Sequence, residues 1–327
     1  MDPLRWAVLG VAKIAVDKVI PAFQRSVQGK VTAIASRDMA RAREAAARLG
    51  IQEAYGSYED LLGSDAVDAV YVPLPNHLHK EWTLAAARSG KHVLCEKPLA
   101  LTAADAAEMV EACAAAGVLL MEGFMYRLHP SWQEVRRLVS DGAIGELRAI
   151  HTRFAYFNDD PEDIRNRLEY GGGALMDIGC YAVNLSRMLF GGEPTRVGAT
   201  IQRDPTFGTD IVTSALLEFE HGHATFTVST RLEPDQRVHL AGSHGRIEVE
   251  IPFNIPPDRE SRIRLIRGGN PPVAPHVDTI SFPPANAYTL EADGFGRAVR
   301  EGEPVPIPPE DGVANMRVIE RIIDAAG

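Results

Sequence analysis

Apolar and polar positions follow two different rhythms along the chain. Up to residue 122, short apolar runs recur at Leu4 to Leu9, Val31 to Ala35, Ala66 to Val72, His92 to Cys95 and Val118 to Glu122. Between them lie stretches of helical spacing, such as Val16 to Val27, the segment running to Leu49, and Thr102 to Ala116. Strands alternating with helices predict right-handed βαβ units and a doubly wound parallel sheet, an α/β fold. Gly50, Gly90 and Gly117 stand where helices should stop, and Thr102 with Asp105 nearly matches a capping box. From Gly145 the runs lengthen into period-two or β-rich segments: Glu146 to Phe157, Thr195 to Ile201, Asp210 to Glu220, His223 to Arg231, Gln236 to Ala241, Arg246 to Phe253 and Arg262 to Arg267. Glu220-His221-Gly222-His223 reads as a hairpin turn. These runs predict a second, α+β domain on a large, mostly antiparallel open sheet. Thr289 to Glu301 and Asp311 to Ala326 read as closing helices around the proline-rich Pro304 to Pro309, and Pro256 to Pro275 reads as loop. The expected division is 1–122 and 123–327.

Residues able to do chemistry gather at the carboxyl ends of the first strands, where open α/β sheets bind ligands. Gly10-Val11-Ala12-Lys13-Ile14-Ala15 is a G-x-A-x-x-A form of the dinucleotide fingerprint. Gly10 allows the tight turn, Ala12 lets a pyrophosphate approach the backbone, and Ala15 permits close helix packing. With one glycine of three, the same pattern also fits an ordinary strand-to-helix turn. The second strand ends in Ser36-Arg37-Asp38. A serine and a guanidinium there suit a 2'-phosphate, favouring NADP(H) over NAD(H). Alternatively, Arg37 and Arg41 form a solvated first helical turn and Asp38 serves an NAD ribose. After the third run comes Pro73-Leu74-Pro75-Asn76-His77-Leu78-His79. Its prolines stiffen the loop, and Asn76 and His79 offer polar groups to a nicotinamide ribose. Two histidines without a cysteine or carboxylate at ligand spacing do not make a metal site.

Glu96-Lys97-Pro98 follows the strand His92 to Cys95. A lysine at that strand end points into the crevice, and the proline fixes its backbone; a plain surface turn is the alternative. Further on, Gly171-Gly172-Gly173 precedes Ala174 to Leu185. A helix beginning near Gly173 places Asp177 and Tyr181 four residues apart on one face. A carboxylate beside a phenol makes an acid-base pair, and an ammonium such as Lys97 lowers a phenol pKa from about 10. The alternative is a structural Asp-Tyr hydrogen bond. Gly179 weakens that helix unless a substrate or another backbone approaches there. Tyr126 and Arg127 either face cofactor or substrate or tie the domains together, and Arg165 is either a crevice cation or one charge of an exposed turn.

Composition narrows the class. At 327 residues, 45% hydrophobic and 24% charged, the chain is long enough for two globular cores. A net charge of −10 argues against nucleic-acid and anionic-membrane partners, which need a basic face. The start, Met1 to Trp6, lacks signal-peptide features, and no apolar run approaches the roughly 18 residues of a membrane span. A cytoplasmic protein is expected. Cys95, Cys113 and Cys180 contain no C-x-x-C pair, which suits reduced thiols, and Cys95 reads as a small buried filler.

Together, Ser36-Arg37-Asp38, Pro73 to His77, Glu96-Lys97-Pro98, Met125-Tyr126-Arg127 and the run Gly171 to Tyr181 resemble the glucose-fructose oxidoreductase, inositol dehydrogenase and rhizopine-catabolism (Gfo/Idh/MocA) family over essentially the whole length. Within it the chain looks closest to the NADP-dependent sugar and dihydrodiol dehydrogenase branch. The resemblance implies an N-terminal Rossmann domain, a C-terminal domain on an open sheet whose exposed face often forms a dimer or larger homo-oligomer, and hydride transfer at a carbon bearing a hydroxyl or carbonyl. The small-molecule substrate it implies is a monosaccharide, polyol or cyclic vicinal diol. It maps Lys97 onto the group that orients and polarises the reacting oxygen, Tyr181 onto the general acid-base and Asp177 onto its orienting partner. Expected cofactor contacts are Gly10, Val11, Ala12, Lys13, Ile14, Ser36, Arg37, Arg41, Pro73, Leu74, Asn76, His79, Glu96, Lys97, Arg127 and Arg165. A cofactor-retaining NAD-dependent glycosidase and a non-catalytic NADP(H) sensor are the alternatives.

Overall fold

All strands of the first sheet run parallel in the computed structural model, which describes residues 3–269 and 273–327. They are β1 (Leu4–Leu9), β2 (Gly29–Ala35), β3 (Glu53–Tyr55), β4 (Ala69–Val72), β5 (His92–Cys95) and β6 (Leu120–Glu122), in the order β3-β2-β1-β4-β5-β6. Near-continuous burial of β1, β4 and β5 follows from helices on both faces of such a sheet. The strand order reverses between β1 and β4, and a doubly wound sheet opens its ligand crevice at that point. The predicted stops hold: Gly50, Gly90 and Gly117 take positive φ, and Thr102 Oγ1 accepts from Asp105 N at 3.0 Å. The helix after β1 is shorter than its spacing suggests, ending at Phe23. Ser26 ends it by turning its hydroxyl to accept from Gln28 N and to donate to Asp293 Oδ1 at 2.6 Å.

Two compact units divide the chain, residues up to Leu128 with Ala287–Val313, and His129–Asn286 with Ala314–Gly327. A boundary at residue 122 assigns the helix Ala287–Glu301 to the second domain, whereas its contacts put it in the first unit. Phe295 lies 5.3 Å from the Trp6 ring, which in turn meets Phe23 at 4.9 Å, and Thr289 Oγ1 donates to Ala22 O. The ring contacts lie at a spacing that stabilises beyond burial alone, and Phe295–Trp6 and Thr289–Ala22 each join positions more than 260 residues apart.

The second unit is built on β7 (Leu147–Phe157), β8 (Arg196–Arg203), β9 (Asp210–Phe219), β10 (Gly222–Ser229), β11 (Arg231–Gly242), β12 (Gly245–Val249), β13 (Ser261–Arg267) and β14 (His276–Phe282). Their order is β14-β13-β12-β11-β7-β10-β9-β8. Neighbours are antiparallel except β7 and β10, which pair in parallel. The hairpin forms at Glu220-His221, with Phe219 opposite Gly222. β14 carries no apolar period because it is an exposed edge, and part of the expected loop Pro256 to Pro275 is β13, while 270–272 lie outside the described residues. One face of the sheet buries Ile150, Phe154, Phe226, Val228 and Leu240 beneath the helix Cys180–Phe190 and its opening turn. Across the other face runs a register-matched row of Leu216, Thr225, His151, His239, Glu248 and Arg264. Among the described residues no helix is long and apolar enough to cross a membrane.

Candidate active site

The nucleotide end is built on Gly10. Its φ of +101° is a conformation that side chains resist, and an added Cβ would press on Leu74 Cδ2 and the Tyr58 hydroxyl. The turn is therefore open backbone beneath Val11 and Ala12, with Lys13 exposed and Ile14 leading into the turn Ala15–Val19. Arg37 and Arg41 are exposed, and both favour ionisation of Tyr58, the phenol an added Cβ at Gly10 would meet, while burial pushes that phenol the other way. Ser36 is buried at the end of β2. Asp38 caps the helix Met39–Leu49, its Oδ1 accepting from Ala40 N at 2.9 Å and from Arg41 N. That cap engages one oxygen of the carboxylate that the sequence left open to an NAD ribose. Exposed guanidiniums beside a glycine cradle fit a phosphorylated dinucleotide.

His79 is fully buried, with Nε2 2.8 Å from Leu74 O and Nδ1 2.9 Å from Pro98 O. Burial lowers its pKa. Its ring lies between Leu74 O and Pro98 O and, as a neutral imidazole, donates to one of them, and its full burial leaves neither nitrogen open to a ribose. Asn76, half-buried, opens the turn Asn76–Leu78. Lys97 follows β5 through a cis Lys97–Pro98 bond. Around it the backbone is fixed: Leu99 N donates to Glu122 Oε1 at 2.8 Å, and Tyr71 OH donates to Glu96 Oε1 at 2.6 Å. Burial and the neighbouring Glu96 hold Tyr71 and Glu291 well above their ordinary pKa values. Tyr71, which donates to Glu96, and the buried Glu291, whose carboxyl Glu96 disfavours in its charged form, carry no sequence signal of their own. Arg127 is ion-paired with Asp311 at 2.8 Å inside the first unit, and Tyr126 is buried. Cys95, Cys113 and Cys180 are buried free thiols, and burial raises the pKa of Cys95 well above the usual range.

In the second unit the three glycines do a specific job. Gly173 N donates to Arg165 O at 2.9 Å and Gly172 N to Arg167 O at 3.0 Å, drawing the turn Ile164–Asn166 against the helix start. Gly173 takes φ +114°, and a Cβ there would overlap the Asp210 carboxylate, which accepts from Leu175 N at 2.7 Å and from Thr213 Oγ1 at 2.6 Å. The helix opens on a π-type turn, Leu175–Gly179, and continues as Cys180–Phe190. Such turns recur at functional sites. At Gly179 the side chains of Leu175 and of Val228 on β10 close in where a Cβ would stand, in place of the substrate or second backbone expected there. Asp177 Oδ2 accepts from Tyr156 OH at 2.6 Å and pairs with Arg165 Nε at 3.2 Å. Tyr181 is wedged between Phe154 at 5.8 Å and Phe253 at 5.1 Å. Arg231 holds the adjoining loop, binding Asn158 O, Asn166 Oδ1 and Asp204.

A six-stranded parallel sheet with a tight glycine turn after its first strand is the architecture of an NAD(P)-binding oxidoreductase. Residues 4–124 match the oxidoreductase family with an NAD-binding Rossmann fold, and residues 132–248 match the GFO/IDH/MocA C-terminal domain. The chain belongs to the Gfo/Idh/MocA oxidoreductase family. It is 41% identical over 325 residues to D-xylose 1-dehydrogenase (NADP(+)) 2 of Haloferax volcanii, covering 99% of this chain and 97% of that one. To human trans-1,2-dihydrobenzene-1,2-diol dehydrogenase it is 29% identical over 332 residues, covering 99% and 97%. The crystal structure of a 3-ketoreductase from Actinomadura kijaniata in complex with NADP and TDP-benzene superposes with a TM-score of 0.92 at 31% identity, covering 99% and 98%.

Proposed function

We propose that the protein is an NADP-dependent oxidoreductase that moves a hydride between nicotinamide and a hydroxyl or carbonyl carbon of a neutral monosaccharide, polyol or cyclic vicinal diol. The observation that carries this reading is the division of labour after β2, where Asp38 is committed to its helix while Arg37 and Arg41 stand exposed beside the Gly10 turn. When bound, NADP(H) supplies the hydride chemistry, and the chain positions the reacting carbon and manages one proton. Gly10 to Ile14 cradle the pyrophosphate, Ser36, Arg37 and Arg41 bind the 2'-phosphate, and Pro73, Leu74, Asn76 and Glu96 line the nicotinamide end. Lys97 polarises the substrate oxygen, Tyr181 takes or gives its proton, and Asp177 orients the exchange. His79 and Arg127 act by fixing loops, and we assign Arg165 to Asp177 rather than to the cofactor.

Charge supports a neutral substrate. The loop that touches Asp177 carries Asp159, Asp160, Glu162, Asp163 and Glu169 against Arg165 and Arg167. Arg165 pairs with Asp163 and Asp177, and Arg167 with Glu162 at 3.2 Å and Glu169 at 3.9 Å. A nucleoside diphosphate would meet carboxylates there instead of cations awaiting a phosphate. The test is fluorescence titration with NADPH and NADH, then turnover on aldoses, inositols, cyclic diols and a nucleoside-diphosphate sugar. Tight NADPH binding with turnover on a neutral compound supports the proposal; turnover confined to the nucleotide sugar sinks the substrate part. Arg37→Ala is expected to weaken NADPH about 10- to 100-fold, the worth of a charge-assisted contact, while leaving NADH nearly unchanged.

We further propose a cytoplasmic homo-oligomer assembled through the open face of the second sheet. Leu216 stands 45% exposed on that face, on the strand beside the edge strand β8, among Thr200, Ser214, Thr225 and Thr227. A second copy of the same twisted sheet is the occupant whose shape matches. Leu216→Asp is expected to shift the mass measured by light scattering to that of a monomer; an unchanged mass counts against this face.

A further inference from the structure

We infer that Tyr156 is a positioning residue of this reaction, and that β7 is the template setting Asp177 and Tyr181 relative to each other. The inference rests on the proposed function. Ile150, Thr152 and Phe154 point to the buried face of β7, and Tyr156 continues that face at the strand end. Phe154 meets the Tyr181 ring edge-on at 5.8 Å, and Tyr156, two residues along, donates its hydroxyl to Asp177 Oδ2 at 2.6 Å. One strand thus addresses both members of the pair, Tyr181 by packing and Asp177 by a hydrogen bond.

Arg165 reaches the same oxygen of Asp177, and Gly173, which donates its N–H to the Arg165 carbonyl, fixes where that residue stands. The groups facing the Tyr156 hydroxyl are Asp177, Arg165 and Asp163. Burial, followed by the Asp177 carboxylate, pushes the Tyr156 phenol up, so it remains a donor while Tyr181 exchanges its proton. Asp177 is thereby held with one oxygen doubly engaged, and its orientation does not depend on substrate being present.

Tyr156→Phe keeps the ring and removes only the hydroxyl. The expected result is a kcat about 10- to 100-fold lower, the scale of a hydrogen bond to a charged group, with NADPH affinity unchanged. The acidic limb of the kcat-pH profile should move to higher pH, because Asp177 loses a donor that favours its charged form. Arg165→Lys, which keeps the charge, should retain more activity than Arg165→Met. The 13C titration of the Asp177 carboxyl in wild type and Tyr156→Phe reads the same bond without turnover, and its midpoint should rise in the variant. A folded Tyr156→Phe enzyme with wild-type kcat, pH profile and Asp177 midpoint overturns the inference, as does one that loses only thermal stability. Wild-type protein that binds NADPH yet turns over no sugar or diol overturns the functional reading, and a displaced Asp177 midpoint in that case still supports the Tyr156 clamp.

Discussion

Lys97→Met should lower kcat by about 10²- to 10⁴-fold, the range expected when a charge that assists proton movement and oxygen polarisation is removed. NADPH affinity should stay within about threefold, since the 2'-phosphate and pyrophosphate contacts proposed above lie elsewhere. Methionine preserves the length of the side chain and deletes the ammonium. The backbone around position 97 does not depend on that charge, because Pro98 O is held by His79, Leu99 N by Glu122, and Glu96 by Tyr71. Steady-state kinetics on the substrate found in the panel, alongside fluorescence titration of NADPH, separates the two parameters. Near-normal kcat would show that Lys97 is not the polarising group.

Gly173→Ala should cost both stability and activity. Residue 173 takes φ +114°, and a methyl group there would overlap the buried Asp210 carboxylate that caps Leu175 N. Backbone strain and a disturbed cap together amount to about 3 kcal/mol, or a Tm lower by roughly 6–12 °C on the scale of a domain this size. Activity should fall at least about tenfold as well, by displacement of a proton-handling group from its working geometry, because Asp177 N donates to Gly173 O at 3.0 Å and the start of its helix moves with it. Gly142→Ala is the comparison. Gly142 has φ +70° with nothing within 4 Å of an added Cβ, so it carries the conformational penalty alone, about 1 kcal/mol. Differential scanning calorimetry on both variants reads the difference; equal, small losses would show that the Asp210 contact does not matter.

What the sequence makes legible is local chemistry at element ends. The Gly10 turn, the Ser36-Arg37 segment, Lys97 after β5 and the glycines before Ala174 each sit where a strand or helix begins or stops, and such boundaries are written in a few adjacent residues. The helix cap that Asp38 gives Ala40 and Arg41 has no place in the sequence reading, which offers that residue only to an NAD ribose. Tyr156 stays hidden because a tyrosine in a strand is an ordinary β-former, and its meaning lies in a partner 21 residues away. Tyr71 on β4 is silent for the same reason, its partner Glu96 lying 25 residues on. The return of Ala287–Glu301 to the first unit depends on Phe295 meeting Trp6, a contact no periodicity encodes. β14 escapes because an exposed edge strand buries too little to impose a pattern.

The most direct test of hydride transfer is to incubate the enzyme with NADP+ and aldoses or cyclic diols deuterated at the carbinol carbon, and to follow the label by mass spectrometry. Deuterium recovered in NADPH, in step with appearance of the carbonyl product, is the expected result. Cleavage of a glycoside with the cofactor unchanged at the end, or product formed with no deuterium in the nicotinamide, would contradict it.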